Sequence, residues 1–229
     1  MTTHTELRAR ICAVGQSLFE RGYVHATAGN ISVRLDDGSL LITPTDACLG
    51  RLAPDQLAHV SADGEHLGGG RPSKTWVLHR SIYEASRVHL PATACIIHTH
   101  STHLVAASLR QNPKPEATAL PELLPPLTPY FVMKVGHVPH VPYHRPGAPE
   151  AAQWVAQAIA RYGQQGTPLR AVMMARLGPN VWHDTPEAAL ATLEELEETA
   201  RLWLMCPESI EPLNAEQLQV LYDQFGARW

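Results

Sequence analysis

The chain has 229 residues and a mass of 25.1 kDa, enough to bury a substantial core, and we expect one domain spanning residues 1–229. Its 18 Lys and Arg against 22 Asp and Glu give a formal net charge of -4, so no basic surface for nucleic acid is expected. No apolar run approaches the roughly 20 residues of a membrane helix, and residues 1–10 lack the apolar segment of a signal peptide. We therefore expect a cytoplasmic protein without a membrane partner.

The predicted elements begin with a helix and a hairpin. Residues 5–21 carry apolar side chains at spacings of three and four, which predicts an amphipathic helix ending near Gly22. Two short runs, 31–33 and 40–42, flank the turn Asp36-Asp37-Gly38 and predict a β-hairpin.

The next part of the chain alternates loop, helix and strand. Residues 64–72 are predicted to form a glycine-rich loop, and the spacing over 76–86 predicts a helix. The β-branched run 93–99 predicts a buried strand, and a short helix is expected over 104–109. The four cysteines have no CxxC spacing and are expected to be reduced thiols in or near the core: Cys12, Cys48, Cys95 and Cys206.

The proline-rich stretch 113–149 is expected to be mostly loop, with one strand near 131–135. A helix over 151–162, a strand over 171–174 and a loop at Gly178-Pro179 follow.

A long helix closes the predicted core. Thr185 can cap its N-terminus, with Pro186 at the first helical position. Its apolar face comprises Leu190, Leu193, Leu196, Ala200 and Leu204. Its glutamates are expected to be mostly solvated: Glu194, Glu195, Glu197 and Glu198. Because strands and helices alternate after an early hairpin, we predict an α/β fold, a three-layer α/β/α sandwich with a mostly antiparallel or mixed central sheet.

Two histidines at the end of the strand over 93–99 are the main chemical signal. Side chains two apart in a strand point the same way, so His98 and His100 can present two imidazoles to one metal ion. The alternative is that they are ordinary polar residues at a strand end.

Several motifs carry a family resemblance. They are Gly29-Asn30-Ile31-Ser32, Ile42-Thr43-Pro44-Thr45, Pro72-Ser73-Lys74 and His98-Thr99-His100-Ser101. In this order before the closing helix, over roughly residues 5–205, they resemble the class II aldolase/adducin superfamily. Three further segments most resemble its 3-oxo-tetronate 4-phosphate decarboxylase branch: Leu127-Thr128-Pro129-Tyr130, Val141-Pro142-Tyr143 and the glutamate-rich run from Leu193 to Ala200. L-fuculose-phosphate aldolase is a more distant relative.

The resemblance implies a metal-dependent lyase of the class II aldolase/adducin fold, acting on a small phosphorylated sugar acid or ketose. Its divalent ion, Zn²⁺ first with Mn²⁺ or another divalent ion as alternatives, would be held by His98, His100 and a third histidine. The ion would stabilise the enediolate that forms when a neighbouring carbon-carbon bond breaks. The resemblance also implies a glutamate acid/base and a homo-oligomer, expected to be a tetramer.

Substrate contacts are likewise implied by the resemblance. The phosphate contacts would come from Gly29, Asn30, Thr45, Ser73 and Lys74. From the residues alone, Asn30 could equally be a turn residue and Lys74 a solvated lysine at a helix start. Tyr130 is a candidate substrate contact from an adjacent subunit, or else a packed aromatic.

The sequence departs from the family at two positions. Thr75 stands where the acid/base glutamate is expected, and its hydroxyl cannot replace a carboxylate in proton transfer. Leu177 stands at the third metal position, just before Gly178-Pro179, and cannot bind a metal. A substitute could come from five other histidines: His79, His103, His137, His140 and His144. For His103, a polar contact at a helix start is the favoured reading.

These departures leave three candidate functions. The first is decarboxylation of a 3-oxo-tetronate 4-phosphate, since breaking that bond removes no hydroxyl proton and does not need the missing glutamate. A sugar-phosphate aldolase would need such a base. A catalytically impaired paralogue that binds a sugar-phosphate-like ligand or a protein partner is the third candidate.

Overall fold

The computed structural model of the protein describes residues 4–111, 113, 120–206 and 210–229. The described helices are His4–Glu20 (α1), Trp76–Ser86 (α2), Thr102–Leu109 (α3), Pro129–Lys134 (α4), Pro149–Gln164 (α5), Pro186–Met205 (α6) and Ala215–Phe225 (α7). The described strands are Asn30–Arg34 (β1), Leu40–Ile42 (β2), Ala58–Val60 (β3), His66–Gly68 (β4), Cys95–His98 (β5), His140–Val141 (β6), Ala171–Met174 (β7) and Gly178–His183 (β8). Short 3-10 helices cover Leu49–Arg51 and Pro54–Gln56. None of the described helices is long and apolar enough to cross a membrane.

The described strands form one sheet in the order β4-β3-β2-β1-β5-β8-β7-β6. Neighbouring strands in this order pair antiparallel, except that β6 pairs with β7 in parallel. The sheet is therefore mixed and mostly antiparallel, as predicted. β5 lies in its interior between β1 and β8, so the strand that carries His98 is held by hydrogen bonds on both sides.

Helices cover both faces of this sheet. On β5, Cys95 and Ile97 face the core built with α1, α3 and α6, whereas Ile96 faces the core built with α2 and α5. Because both faces of β5 are buried, its sequence reads as a continuous apolar run rather than an alternating one. This arrangement confirms the predicted three-layer α/β/α sandwich.

Most of the predicted elements are present, with ends shifted by a few residues. The β1–β2 hairpin, α2 and β7 occupy the predicted ranges. The start of α6 is also confirmed, because Thr185 Oγ1 accepts a hydrogen bond from Ala188 N at 3.2 Å and Pro186 is the first helical residue. Leu193, Leu196 and Ala200 are buried in the core below it.

Two elements were predicted wrongly. The strand near 131–135 is the helix α4, because Thr128 Oγ1 caps it by accepting from Phe131 N at 3.1 Å and Pro129 occupies its first turn. The Gly178-Pro179 loop is instead the beginning of β8, where the backbone runs close against β5.

Other expectations fail in detail. Glu197 is buried at 3% exposure rather than solvated, and Cys206 is exposed rather than near the core. The glycine-rich segment contains the edge strand β4. The strand β3 and the helix α7 were not predicted from the sequence. Part of the proline-rich stretch, residues 114–119, lies outside the described residues.

Candidate functional site

The end of β5 places His98 and His100 side by side. His98 is paired across the sheet with Asn30 of β1 and with Asn180 of β8. Its side chain is buried at 9% exposure, while His100, just beyond the strand, is partly exposed. The two ring centroids lie 5.1 Å apart at an interplanar angle of 69°.

One hydrogen bond fixes the orientation of the His98 ring. His98 Nδ1 lies 2.8 Å from the carbonyl oxygen of Pro179. A carbonyl can only accept, so Nδ1 carries the proton and Nε2 keeps its lone pair. A metal-binding histidine usually donates its other ring N–H to a carboxylate, a water or a backbone carbonyl such as this one. His98 is therefore prepared to bind a cation through Nε2.

The spacing of the rings also suits one shared ion. For a tetrahedral ion with metal-nitrogen bonds near 2.1 Å, the ring centroids of two imidazole ligands lie about 5.2 Å apart. The 5.1 Å between His98 and His100 matches this value. The pair fits as two ligands of a divalent ion.

Burial keeps these imidazoles in the neutral form that binds metal. Desolvation lowers the pKa of His98 to about 4, with a smaller contribution from His100 and an opposing one from the Pro179 hydrogen bond. The pKa of His100 is lowered by desolvation first and by nearby His25 second. Near neutral pH both rings are unprotonated, so metal binding need not displace a proton from either.

The proposed phosphate contacts converge beside this pair. Gly29 lies so close to β5 that a Cβ there would stand 2.9 Å from the His98 carbonyl oxygen, and its φ is 83°. Ile31 N donates to Thr43 Oγ1 at 3.1 Å, and Ser73 N donates to Thr43 O at 3.3 Å. These bonds bring the Asn30, Thr45 and Ser73 segments together, although they are far apart in the sequence.

Several buried polar atoms around His98 have no hydrogen-bond partner among the described residues. They are Asn30 Oδ1, both side-chain polar atoms of Asn180, and His79 Nε2. Asn30, His98 and Asn180 lie opposite one another across β1, β5 and β8, so their side chains share one face of the sheet. Buried polar groups are normally paired, so these atoms mark a place for a polar ligand or ordered water.

Thr75 and Leu177 stand where the family resemblance led us to expect a glutamate and a histidine. Thr75 Oγ1 makes a 2.9 Å hydrogen bond with Ser73 Oγ. Leu177 packs against the apolar core built with α2 and α5. Within residues 4–111, 113, 120–206 and 210–229, no three His, Cys, Asp or Glu side chains are already arranged to hold one metal ion.

Three of the candidate substitute histidines have other partners. His103 Nδ1 donates to buried Glu197 at 2.8 Å, so the predicted polar contact at a helix start is confirmed. His137 bonds Glu122 at 3.0 Å, and His140 lies on β6 at the sheet edge. Among the described residues, their rings make no ring contact with those of His98 and His100.

Two further candidates and one unexpected histidine remain. His79 Nδ1 is 2.7 Å from Ser32 Oγ, and desolvation and then His98 lower the pKa of His79 to about 3. His144 has a buried Nε2 without a described partner. No sequence motif pointed to His25, whose ring centroid lies 6.4 Å from that of His100.

Tyr130 and Lys74 are exposed in the single chain. Tyr130, at 62% exposure, lines an open cleft of about 770 Å³ bordered by α4, α6 and the C-terminal residues. Neither His98 nor His100 lines this cleft. The cleft and the histidine pair are therefore separate features of the described chain.

Comparison with known proteins gives a consistent set of relatives. A family model described as the class II aldolase and adducin N-terminal domain matches residues 9–204. The 3-oxo-tetronate 4-phosphate decarboxylase of Cupriavidus necator is 47% identical over 234 residues, with 100% of both chains covered. The L-fuculose phosphate aldolase of Haemophilus influenzae is 28% identical, with 96% of this chain and 94% of that protein covered. The crystal structure of YgbL from Klebsiella pneumoniae superposes with a TM-score of 0.80 at 39% identity, covering 96% of this chain and 100% of that one.

Proposed function

The chain belongs to the class II aldolase and adducin N-terminal domain family, and from this membership we propose that it is a divalent-metal-dependent lyase that decarboxylates a 3-oxo-tetronate 4-phosphate. The observation that carries the proposal is the His98–His100 pair, whose rings are spaced for one ion and whose His98 Nε2 keeps its lone pair. Zn²⁺ is the first candidate ion, because neutral imidazoles are among its preferred ligands, and Mn²⁺ or another divalent ion is an alternative.

The reaction requires little proton chemistry from the protein. The C1–C2 bond of the substrate breaks, carbon dioxide leaves, and the bonding electrons remain on C2 and the adjacent C3 carbonyl as an enediolate. A bound divalent ion supplies Lewis-acid stabilisation of the negative charge on that enediolate. C2 then takes a proton, which water can supply on the partly exposed side of His100. The products are carbon dioxide and dihydroxyacetone phosphate.

The segments that converge beside His98 would bind the substrate phosphate. Gly29 allows the backbone to approach closely, and buried Asn30 and Ser73 offer small polar side chains. Thr45 belongs to the segment joined to Ser73 through Thr43. Exposed Lys74 would add the positive charge that a phosphate dianion favours.

Thr75 favours decarboxylation over aldol cleavage. Retro-aldol cleavage must remove a hydroxyl proton as the carbon-carbon bond breaks, and a carboxylate normally takes it. Thr75 has a hydroxyl already paired with Ser73 Oγ and cannot act as that base. Decarboxylation starts from an ionised carboxylate and needs no such step. The aldolase reading is therefore the weaker one.

We also propose that the protein is a cytoplasmic homotetramer and that one domain spans residues 1–229. His100 is partly exposed and does not line the cleft at Tyr130, so a neighbouring subunit would have to supply the remaining wall around the substrate. Large apolar side chains are exposed on the last turns of α6 and on α7, which supports an interface between chains: Leu202, Met205, Val220, Tyr222 and Phe225. Exposed Tyr130 would be available to an adjacent active site.

The test is turnover by the metal-loaded protein. Both C2 epimers of 3-oxo-tetronate 4-phosphate are supplied, and carbon dioxide and dihydroxyacetone phosphate are measured against a control with metal but no protein. The proposal expects equal amounts of the two products from at least one epimer and little cleavage of L-fuculose 1-phosphate. Metal-loaded protein that releases no carbon dioxide from either epimer would contradict it.

A second candidate function is a catalytically impaired paralogue that binds a sugar-phosphate-like ligand or a protein partner. It is favoured by Leu177, whose side chain is part of an apolar core rather than a metal site, and by Thr75. This candidate expects the double variant Thr75→Glu with Leu177→His to gain both bound metal and turnover. A double variant that folds and gains neither would count against impairment at these positions.

A further inference from the structure

With Leu177 in place of a ligand, the His98–His100 pair lacks a third protein ligand. Catalytic zinc sites normally use three protein ligands and leave one position for water or substrate. The missing ligand must come from another part of the chain if the ion is to be held firmly. The surroundings of His100 therefore decide whether a complete site can form.

His25 is the described side chain placed to complete it. Its ring approaches His100 edge to face, with centroids 6.4 Å apart and an interplanar angle of 75°. His100 in turn lies 5.1 Å from His98, so the three imidazoles form one continuous cluster. We propose that His25 supplies the third protein ligand, completing a His25–His98–His100 site for a divalent ion.

The loop that carries His25 is attached to the site. Val24, at 2% exposure, anchors the loop in the core, and Gly29 abuts the His98 carbonyl oxygen. Ala28 N donates to the His25 carbonyl oxygen at 2.9 Å, which closes a turn between the two anchors. The backbone at His25 is therefore held beside the pair, while its exposed side chain can turn towards it.

The required movement is a rotation of the His25 side chain. Two imidazoles on one tetrahedral ion have centroids about 5.2 Å apart, so the His25 ring must approach His100 by roughly 1 Å and must also turn towards His98. A rotation of an exposed side chain can provide this shift. The other histidines near the pair are less free, since His103 is bonded to Glu197 and buried His79 to Ser32.

This inference rests on the proposed function, because it assigns a ligand to the same ion, but its test does not use turnover. The full-length protein is stripped of metal with a chelator and titrated with Co²⁺, whose visible absorption reports both affinity and coordination. The titration compares the natural protein with His25→Ala, His98→Ala and His66→Ala. His66 is the matched control, an exposed histidine on the edge strand β4, four positions across the sheet from β5.

We expect His25→Ala to weaken Co²⁺ binding by at least about tenfold and to reduce the tetrahedral absorption bands, since even the loss of a residue that only hydrogen-bonds a ligand costs about 10–100-fold in affinity. His98→Ala should do the same or more, and His66→Ala should bind like the natural protein. A natural protein and a His25→Ala variant with equal affinity and equal spectra would overturn the inference.

A second variant separates a ligand from a merely structural residue. Leu177→His restores an imidazole at the family position, so removing His25 in that background should cost much less affinity than in the natural protein. An undiminished loss would overturn the ligand role. If Co²⁺ binding depends on His98 but not on His25, only this inference fails. If the natural protein binds no Co²⁺, the metal-dependent function fails with it.

Discussion

Glu197 is expected to be a structural carboxylate that holds the helix following the histidine pair. Its Oε1 accepts from His103 N at 3.0 Å and His103 Nδ1 at 2.8 Å, and its Oε2 accepts from Leu104 N at 3.1 Å. The first amides of α3 have no partner within their own helix, and the Ser101 side chain makes no capping bond. Glu197 thus fastens α6 to the start of α3, directly after His100.

Replacing this carboxylate has a calculable cost. In Glu197→Ala the amides of His103 and Leu104 lose their partner, and each unmade bond at a buried donor costs about 1–3 kcal/mol. We expect Glu197→Ala to lower the free energy of unfolding by about 3 kcal/mol, and Glu197→Gln by about half as much, because the amide keeps one acceptor oxygen.

Urea unfolding followed by circular dichroism, at fixed protein concentration, measures these differences. The matched control is Glu198→Ala, since Glu198 is the next residue on α6 but is exposed, and its removal should change stability by no more than about 0.5 kcal/mol. A Glu197→Ala variant within about 0.5 kcal/mol of Glu198→Ala would refute the reasoning.

Three further predictions concern the backbone, pH and a buried hydroxyl. In urea unfolding, Gly178→Ala should lower the free energy of unfolding by more than about 3 kcal/mol, because the new Cβ would lie 1.9 Å from Thr99 O at a φ of 139°. The control Gly68→Ala places its Cβ with no atom within 4 Å and should change stability very little. Burial lowers the pKa of His140 to about 4, below the unfolded value near 6.5. Between these pH values the unfolded chain binds more protons than the folded one, so the stability contributed by neutral His140 is complete above about pH 6.5 and is lost as the pH falls towards 4. From pH 7 to 4 the free energy of unfolding of His140→Gln should therefore fall by about 3 kcal/mol less than that of the natural protein, and equal falls would contradict this. Tyr83→Phe removes a buried hydroxyl that bonds Ser32 O at 3.0 Å, and should cost about 1–2 kcal/mol by thermal or urea unfolding, with no loss arguing against that bond.

The sequence predicted those elements whose ends are determined by residues within one turn of the chain. Thr185 and Pro186 mark the start of α6 because a capping hydroxyl and a proline act within one turn. The pair His98 and His100 could be found because two histidines two residues apart stand at the end of a predicted strand, although His100 lies just beyond β5. The alternation of strands and helices after an early hairpin predicted the mixed sheet and the three layers, and the family resemblance implied the same fold.

Features that depend on distant partners could not be predicted. Glu197 was predicted to be exposed because it is next to other glutamates in the sequence. Its burial depends instead on the amides of α3 that its carboxylate binds. Asn180 joins the site only through its register with His98 across β5 and β8. His25 reaches His100 because β1 pairs with β5, which sets the position of the preceding loop. In each case the contact follows from strand or helix pairing rather than from neighbouring residues.

The metal content of the purified protein tests the central claim most directly. Elemental mass spectrometry measures the divalent metal bound per chain in four proteins: the natural protein, His98→Ala, His100→Ala and the control His66→Ala. The claim that His98 and His100 form a metal centre predicts about one ion per chain in the natural protein and the control, and little in the other two variants. Metal content that is negligible in the natural protein after purification in metal-supplemented buffer, or that is unchanged in both site variants, would contradict it.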